Sequence, residues 1–352
     1  RQRASGSRRA DGGDVGAPCG GMPDGGLGHG GQDGPGRDRL GFDRPVAPGG
    51  YVWWYVDALS DDGRHGLTII AFIGSVFSPY YAWARQGAPG GAADPLNHCS
   101  INVALYGDGP NRWTMTERGR ARVDRGADFF TVGPSGLRWD AGTLVIDISE
   151  TAMPLPQRVA GRVRVTPRAI TDKEFAIDHQ DRHHWWPVAP TADVSVAFDK
   201  PALTWTGTGY LDRNRGDEPL EAGFQEWDWS RAPLPSGGTA ITYDTFRRDG
   251  SDHALALIAR EDGSVETFDG PPLMDLHATP IWRVRRKSRA DKGHRPSVSK
   301  TLEDTPFYAR SLVETHLAGE PVRAMHESLS LDRFDTRIVR LMLPFRMPRK
   351  RV

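Results

Sequence analysis

From residue 51 to residue 330 the sequence repeats one cadence: a run of β-branched and aromatic residues, then a short polar turn built on aspartate and glycine. The turns read "SDDG" at 60–63, "RRDGSD" at 247–252 and "REDGS" at 260–264. They fall at hairpin spacing between strand-like runs such as "HCSINVALYG", "DFFTVGPSGLRWDAGTLVIDISE", "VSVAFDKPALTWTGTGYLD" and "TAITYDTFRR". No amphipathic run lasts four helical turns. The cadence predicts an all-β chain of antiparallel sandwiches or barrels. More than a dozen strands are too many for one small barrel, which predicts two β domains, residues 41–175 and 176–345. The Pro-punctuated "HHWWPVAPTA" then lies at their junction, where pockets tend to form.

Composition narrows what such a chain can do. Lys plus Arg equals Asp plus Glu at 45 each over 352 residues, which excludes a globally basic nucleic-acid-binding surface. Cys19 and Cys99 are too few for a disulfide framework and fit a reducing, cytoplasmic setting. The apolar run "GLTIIAFIGSVF" (66–77) is too short to span a bilayer, and no secretory signal is visible. The chain begins with Arg rather than Met, so its start is a fragment, a processed end or a misplaced start. Residues 1–40 are rich in glycine and poor in large apolar groups, which predicts a disordered, dispensable tail. Residues 346–352 form a basic tail.

Three constellations could carry chemistry. In an extended "HHWW", His183 and Trp185 share one face while His184 and Trp186 share the other. The bland reading is a pair of core tryptophans with satisfied histidines. A metal site is disfavoured, because adjacent histidines on opposite faces cannot easily share an ion. In "TWTGTGYLDRNRGDEPLEAGFQEWDW" (204–229), Tyr210 and Asp212 share a face, Gly207 and Gly209 leave room for a close approach, and Trp227 and Trp229 share a face of the next strand. Asp212 reads either as a turn residue opening "DRNRGDE" or as a carboxylic acid whose proton an apolar surround retains. Third, most aromatics of "GGYVWWYVDALSDDGRHG" (49–66) are expected to pack the first domain. "SPYYAW" instead predicts a Pro-broken loop whose Tyr80, Tyr81 and Trp83 touch a bilayer interface, helped by the basic "LPFRMPRKRV".

At these residues the sequence resembles the carotenoid 1,2-hydratases (hydroxyneurosporene synthases) of photosynthetic bacteria, within a wider lipocalin-like superfamily. The likeness covers most of residues 40–345. It is carried by "RPVAPGGYVWWYVDALSDDGRHGLTIIAFIGSVFSPYYAWAR", "PLNHCSINVALYG", "RWTMTERG", "DHQDRHHWWPVAP" and "GTGYLDRNRGDEPLE". The resemblance implies two lipocalin-like β domains that add water to the terminal C1–C2 double bond of acyclic carotenoids such as neurosporene and lycopene. It implies no organic cofactor, no redox chemistry, and a place in the spheroidene or spirilloxanthin branches. The family's His-x-Trp and Tyr-x-Asp elements match His183 with Trp185 and Tyr210 with Asp212.

The chemistry agrees with that match. Protonating a trisubstituted alkene at C2 leaves a tertiary cation at C1 for water to capture. Asp212 is the expected acid, with Asp228 and Glu226 next in line. His183 is expected to take the proton of the water, Tyr210 to orient the acid or hold the water, and Trp185 to steady the cation. Trp186, His184, Trp227 and Trp229 are the expected substrate walls. The expected partners are the carotenoid, water and a membrane surface touched peripherally, with no nucleic acid and no metal. A passive carotenoid or lipid carrier stays open as an alternative, as does a pericyclase or isomerase of the same fold.

Overall fold

A computed structural model of the chain describes residues 39–350. The tail expected over residues 1–40 therefore lies outside the described residues, except for Arg39 and Leu40. Leu40 is already buried in a core, so core packing reaches at least one residue ahead of the boundary expected at residue 41.

The first sheet contains β1 (Tyr51–Ser60), β2 (His65–Ile73), β3 (Cys99–Gly107), β4 (Thr143–Ala152), β5 (Gln157–Pro167), β6 (His183–Lys200) and β7 (Leu203–Gly216). Their spatial order is β3-β2-β1-β7-β6-β5-β4, and shorter strands extend both ends. Gly63, at φ +68, closes the "SDDG" hairpin between β1 and β2 in a conformation that favours glycine. Towards the end of the sheet, β5 alternates as a half-buried strand must: Val159, Val163 and Val165 face the core and Arg158, Arg162 and Arg164 face outward. The sheet curls around one core shared by β1 to β7, with Trp54, Ile69, Val103, Ile146, Val163, Trp186 and Leu211 among its members.

The second sheet follows from residue 224. It holds β8 (Phe224–Pro233), β9 (Thr239–Arg247), β10 (Asp252–Ala259), β11 (Ser297–Asp304), β12 (Tyr308–Leu317) and β13 (Glu320–Ser330). Their order is β10-β9-β8-β13-β12-β11. Its apolar face lies against the outer face of β1, β2, β6 and β7, and the two faces enclose a second core rich in aromatic rings. This explains why β1 reads as a continuous apolar run: Trp54 and Val56 point into the curled sheet, while Trp53 and Tyr55 point towards the second sheet. The sequence boundary at 175/176 does not coincide with the division between sheets. β6 and β7, and with them "HHWW", pair with β5 and β1 and so belong to the first sheet.

Local chemistry sets these contacts. A Cβ on Gly207 would sit 2.0 Å from the Leu59 carbonyl oxygen, and one on Gly209 would sit 2.5 Å from Val194 Cγ2. The room these glycines leave is therefore taken by neighbouring strands. "SPYYAW" is α1 (Pro79–Gly87), not a loop. Ser78 caps it by accepting from the Tyr80 and Tyr81 N–H groups, and Pro79 occupies the first turn, where proline starts helices rather than breaking them. Tyr81 is fully buried and its hydroxyl donates to the Gly50 carbonyl at 2.7 Å, Tyr80 is half-buried, and Trp83 is exposed. The basic tail is likewise partly internal, since Arg349 pairs with Glu117 and Arg346 lies over Trp113.

The two sheets are cross-linked by a buried ion pair between Asp57 of β1 and Arg231 of β8, with Tyr55 donating to Asp57 Oδ2 at 3.0 Å. Removing one partner of such a pair strands the other charge in a dry layer. Arg231→Met is expected to cost about 3–5 kcal/mol in thermal or urea unfolding, and Asp57→Leu combined with Arg231→Met is expected to recover most of it. A loss below about 1 kcal/mol for the single change would mean that the pair is solvated.

Candidate active site

β7 presents Tyr210, Asp212 and Asn214 at alternate positions, so all three face the second sheet. Antiparallel register places Tyr55 of β1 directly across from Asp212, and Trp185 of β6 across from Asn214. The Asp212 carboxyl is 4% exposed. Its Oδ2 accepts from Trp185 Nε1 at 2.9 Å and from the Tyr210 hydroxyl at 3.1 Å. Its Oδ1 meets only a long 3.4 Å contact from Asn214 Nδ2. The two good donors both occupy Oδ2, which leaves Oδ1 to carry a proton.

Burial pushes the Asp212 carboxyl well above the ordinary carboxylate range. The donors Trp185 and Tyr210 pull it back, the negative charges of Glu327 and Asp57 push it further up, and burial wins. The direction of that shift favours the protonated form of Asp212. Tyr210 is also raised, first by burial and then by Asp212, so it stays a hydroxyl donor.

The second sheet closes the site from the other side. Trp227 and Trp229 of β8, Tyr243 of β9 and Glu327 of β13 meet Asp212 and Asn214 around a cavity of about 30 Å³. A larger apolar cavity of about 120 Å³, walled by Phe72, Phe77, Trp113, Met115, Phe307 and Leu343, shares Trp53, Tyr55, Trp227 and Glu327 with the first. The result is an apolar antechamber with a small polar end, and the acid sits at that end.

The structure brings together Asp212, Tyr210, Trp185, Trp227 and Trp229. Asp212 is mid-strand, so the turn reading fails. His183 lines neither cavity. It is fully buried, with Nδ1 2.8 Å from the Tyr51 hydroxyl and Nε2 3.2 Å from Glu218 Oε1. Tyr51 in turn stacks on Trp53 at 4.9 Å, so His183 braces a cavity wall through Tyr51. Trp186 belongs to the inner core of the first sheet, where its Nε1 donates to Thr171 Oγ1 at 2.9 Å. His184 is half-buried against the Asp181 carbonyl. The alternation that puts His183 and Trp185 on one face thus sends His184 and Trp186 away from the cavity.

Asp228 alternates with Trp227 and Trp229, so it points to the far face of the second sheet, where Ser328 and the Lys287 N–H donate to it. Burial raises it to about 7, yet it lines neither cavity, and neither does Glu226. Sequence reasoning missed Trp53, Tyr55, Asn214, Tyr243 and Glu327. Asn214 could have been found by extending the Tyr210–Asp212 alternation one step. Glu327, inside "MHESLSL", gives no local signal.

Asp212 leaves a thermodynamic signature. The folded chain keeps a proton that the unfolded chain releases above about pH 4, so wild-type stability falls as pH rises towards the raised value. Asp212→Asn has no such proton. Relative to wild type it should gain about 1.4 kcal/mol per pH unit over that window in thermal unfolding. A difference that stays flat with pH would place the Asp212 pKa at its ordinary value.

Comparison with known proteins identifies the family. A family model described as carotenoid hydratase CrtC matches residues 69–352. The acyclic carotenoid 1,2-hydratase of Thiocapsa roseopersicina is 56% identical over 348 residues, covering 99% of this chain and 82% of that protein. Its namesake from Rubrivivax gelatinosus is 52% identical over 309 residues, covering 88% and 76%. Among solved structures, a candidate AttH from Nitrosomonas europaea aligns with a TM-score of 0.57 at 16% identity, over 83% of this chain and 95% of that one. Kievitone hydratase from Nectria haematococca aligns at 0.54 and 11% identity, over 84% and 97%. These two likenesses speak to the fold alone. The family match and the high-identity relatives together establish that this chain belongs to the carotenoid hydratase family.

Proposed function

We propose that this chain hydrates the terminal C1–C2 double bond of acyclic carotenoids such as lycopene and neurosporene, with Asp212 as the proton donor. The observation that carries this reading is a buried carboxyl, raised by desolvation and held by the neutral donors Trp185 and Tyr210, at an aromatic-walled cavity. An isolated alkene is a poor base, so its protonation needs an acid that water does not level. Asp212 Oδ1 gives its proton to C2, and the π electrons leave C1 as a tertiary cation. The indole faces of Trp53, Trp227 and Trp229 surround the place where that charge develops, and a desolvated cation over an indole gains about 2 kcal/mol. Trp185 and Tyr210 then hold the Asp212 carboxylate that protonation leaves behind.

The antechamber fits an apolar end group, and a surface groove lined by Leu105, Tyr106, Met153 and Leu155 adjoins it at Trp113 and Arg346. The polyene would run out along this groove, so that one end reacts at a time. A passive carrier has no use for a buried protonated acid, which favours the enzyme over the carrier.

The substrate's insolubility calls for a peripheral membrane position. No helix among the described residues is long and apolar enough to cross a membrane. The support shifts from Tyr80 and Tyr81 to α2 (Arg337–Met342) and the turn after it. Ile338, Leu341, Met342 and Phe345 are exposed at helical spacing near Trp83, while Leu343 and Met347 of the same segment line the antechamber. Basic Arg337 and Lys350 flank this apolar lip. Ile338→Ser combined with Phe345→Ser should lower binding to anionic liposomes several-fold without moving the thermal transition. Unaltered liposome binding would remove α2 from the reading.

Turnover tests the chemistry. Wild type incubated with lycopene should give a product heavier by one water and, in heavy water, one deuterium at C2. Asp212→Asn keeps shape and neutrality but has no acidic proton, so hydration should fall by about 10²–10⁴-fold while the fold survives. Near-normal hydration by this variant would move the acid elsewhere.

A further inference from the structure

The small cavity beside Asp212 contains more polar chemistry than a proton donor requires. Glu327 lines it from β13, and among the described residues no other carboxylate but Asp212 does so. Register fixes Glu327 in place: Trp229 of β8 lies directly opposite on one side and Arg310 of β12 directly opposite on the other. Arg310 is 1% exposed and donates to Glu327 Oε1, so the guanidinium is balanced inside the fold by this carboxylate. Two further groups on residues lining the same cavity, the Trp229 Nε1–H donor and the Asn214 Oδ1 acceptor, are buried without a hydrogen-bond partner among the described residues. Buried polar atoms are rarely left unpaired, and a cavity of about 30 Å³ has room for an ordered water.

We propose that Glu327 is the second catalytic carboxylate of the hydration reaction, taking the proton of a water that Trp229 Nε1 and Asn214 Oδ1 hold against the carbocation. This rests on the hydration reading and replaces His183 in the role of base. The oxygen of the water receives a hydrogen bond from Trp229 and gives one to Asn214, which leaves a lone pair for C1 and a second proton for Glu327. The C1–O bond forms as that O–H bond breaks, and the proton passes to the Glu327 carboxylate. Charge balances at every stage. At rest Asp212 is neutral and Glu327 offsets Arg310. In the cation the Asp212 carboxylate offsets C1. After capture Glu327 is neutral and the Asp212 carboxylate offsets Arg310. Transfer of the proton from Glu327 to Asp212 resets the site. Burial raises the Glu327 carboxyl above its ordinary value while Arg310 opposes that rise, which suits a base that must accept a proton and pass it on.

The test separates cation formation from water capture. Without capture, the Asp212 carboxylate returns the cation to alkene, and in heavy water the recovered lycopene carries deuterium. Glu327→Gln is expected to lower hydration about 10²-fold while deuterium exchange into recovered lycopene continues. Asp212→Asn is expected to lose both. Near-normal hydration by a folded Glu327→Gln protein would overturn the assignment, and so would joint loss of exchange and hydration, since Glu327 would then serve proton delivery. If Glu327→Gln does not fold, Trp229→Phe carries the test: it keeps the ring, removes the donor, and should lower the ratio of hydration to exchange. An unchanged ratio would overturn the proposal. Wild type that adds no water to lycopene would instead refute the hydration reading itself.

Discussion

Desolvation of one carboxyl group is the constraint around which the structure is arranged. Asp212 in water would be an ordinary carboxylate, useless as an acid towards a hydrocarbon. Between two sheets it is almost wholly removed from bulk solvent, and its two good hydrogen bonds converge on one oxygen. That placement costs stability near neutral pH, and the surrounding aromatic layer offsets it by burying Trp53, Tyr55, Trp185, Tyr210, Trp227 and Trp229 together. The fold supplies a dry place first and a reactive group second.

A dry place must also remain electrically balanced. The inter-sheet layer contains two guanidinium groups, Arg231 and Arg310, each matched to a carboxylate, Asp57 and Glu327. Tyr55 lies beside both pairs, donating to Asp57 and standing within the field of Arg310 and Glu327. Among the described residues no guanidinium is hydrogen-bonded to Asp212. That difference separates the acid from its neighbours: Asp57 and Glu327 each sit against a guanidinium, whereas the good donors to Asp212 are a neutral indole and phenol.

Much of this was legible in the sequence, and the exceptions have physical causes. Turn chemistry and strand periodicity are local, so the β class and the Tyr210–Asp212 and Trp227–Trp229 faces followed from alternation alone. Which face of a strand meets another sheet is not local. Trp53 and Tyr55 therefore looked like ordinary packing, and Trp186 and His184 looked like site residues. "HHWW" looked like a junction because it is flanked by prolines, yet its hydrogen bonds go to β7 of the first sheet. Glu327 comes from a strand more than a hundred residues beyond Asp212, and only the stacking of the two sheets makes them neighbours. His183 drew its expected role from its imidazole and from the His-x-Trp element of the resemblance. Its contacts to Tyr51 and Glu218, away from the linings of both cavities, are tertiary and no spacing rule could have revealed them.

The central claim is that Asp212 retains its proton in the folded protein at neutral pH, and infrared difference spectroscopy reads this directly. Wild type minus Asp212→Asn, recorded in neutral buffer without substrate, should contain the carbonyl stretch of one protonated carboxylic acid, shifted down in deuterated buffer. A difference spectrum holding only carboxylate bands would contradict the account, because Asp212 would then be ionised and have no proton to give.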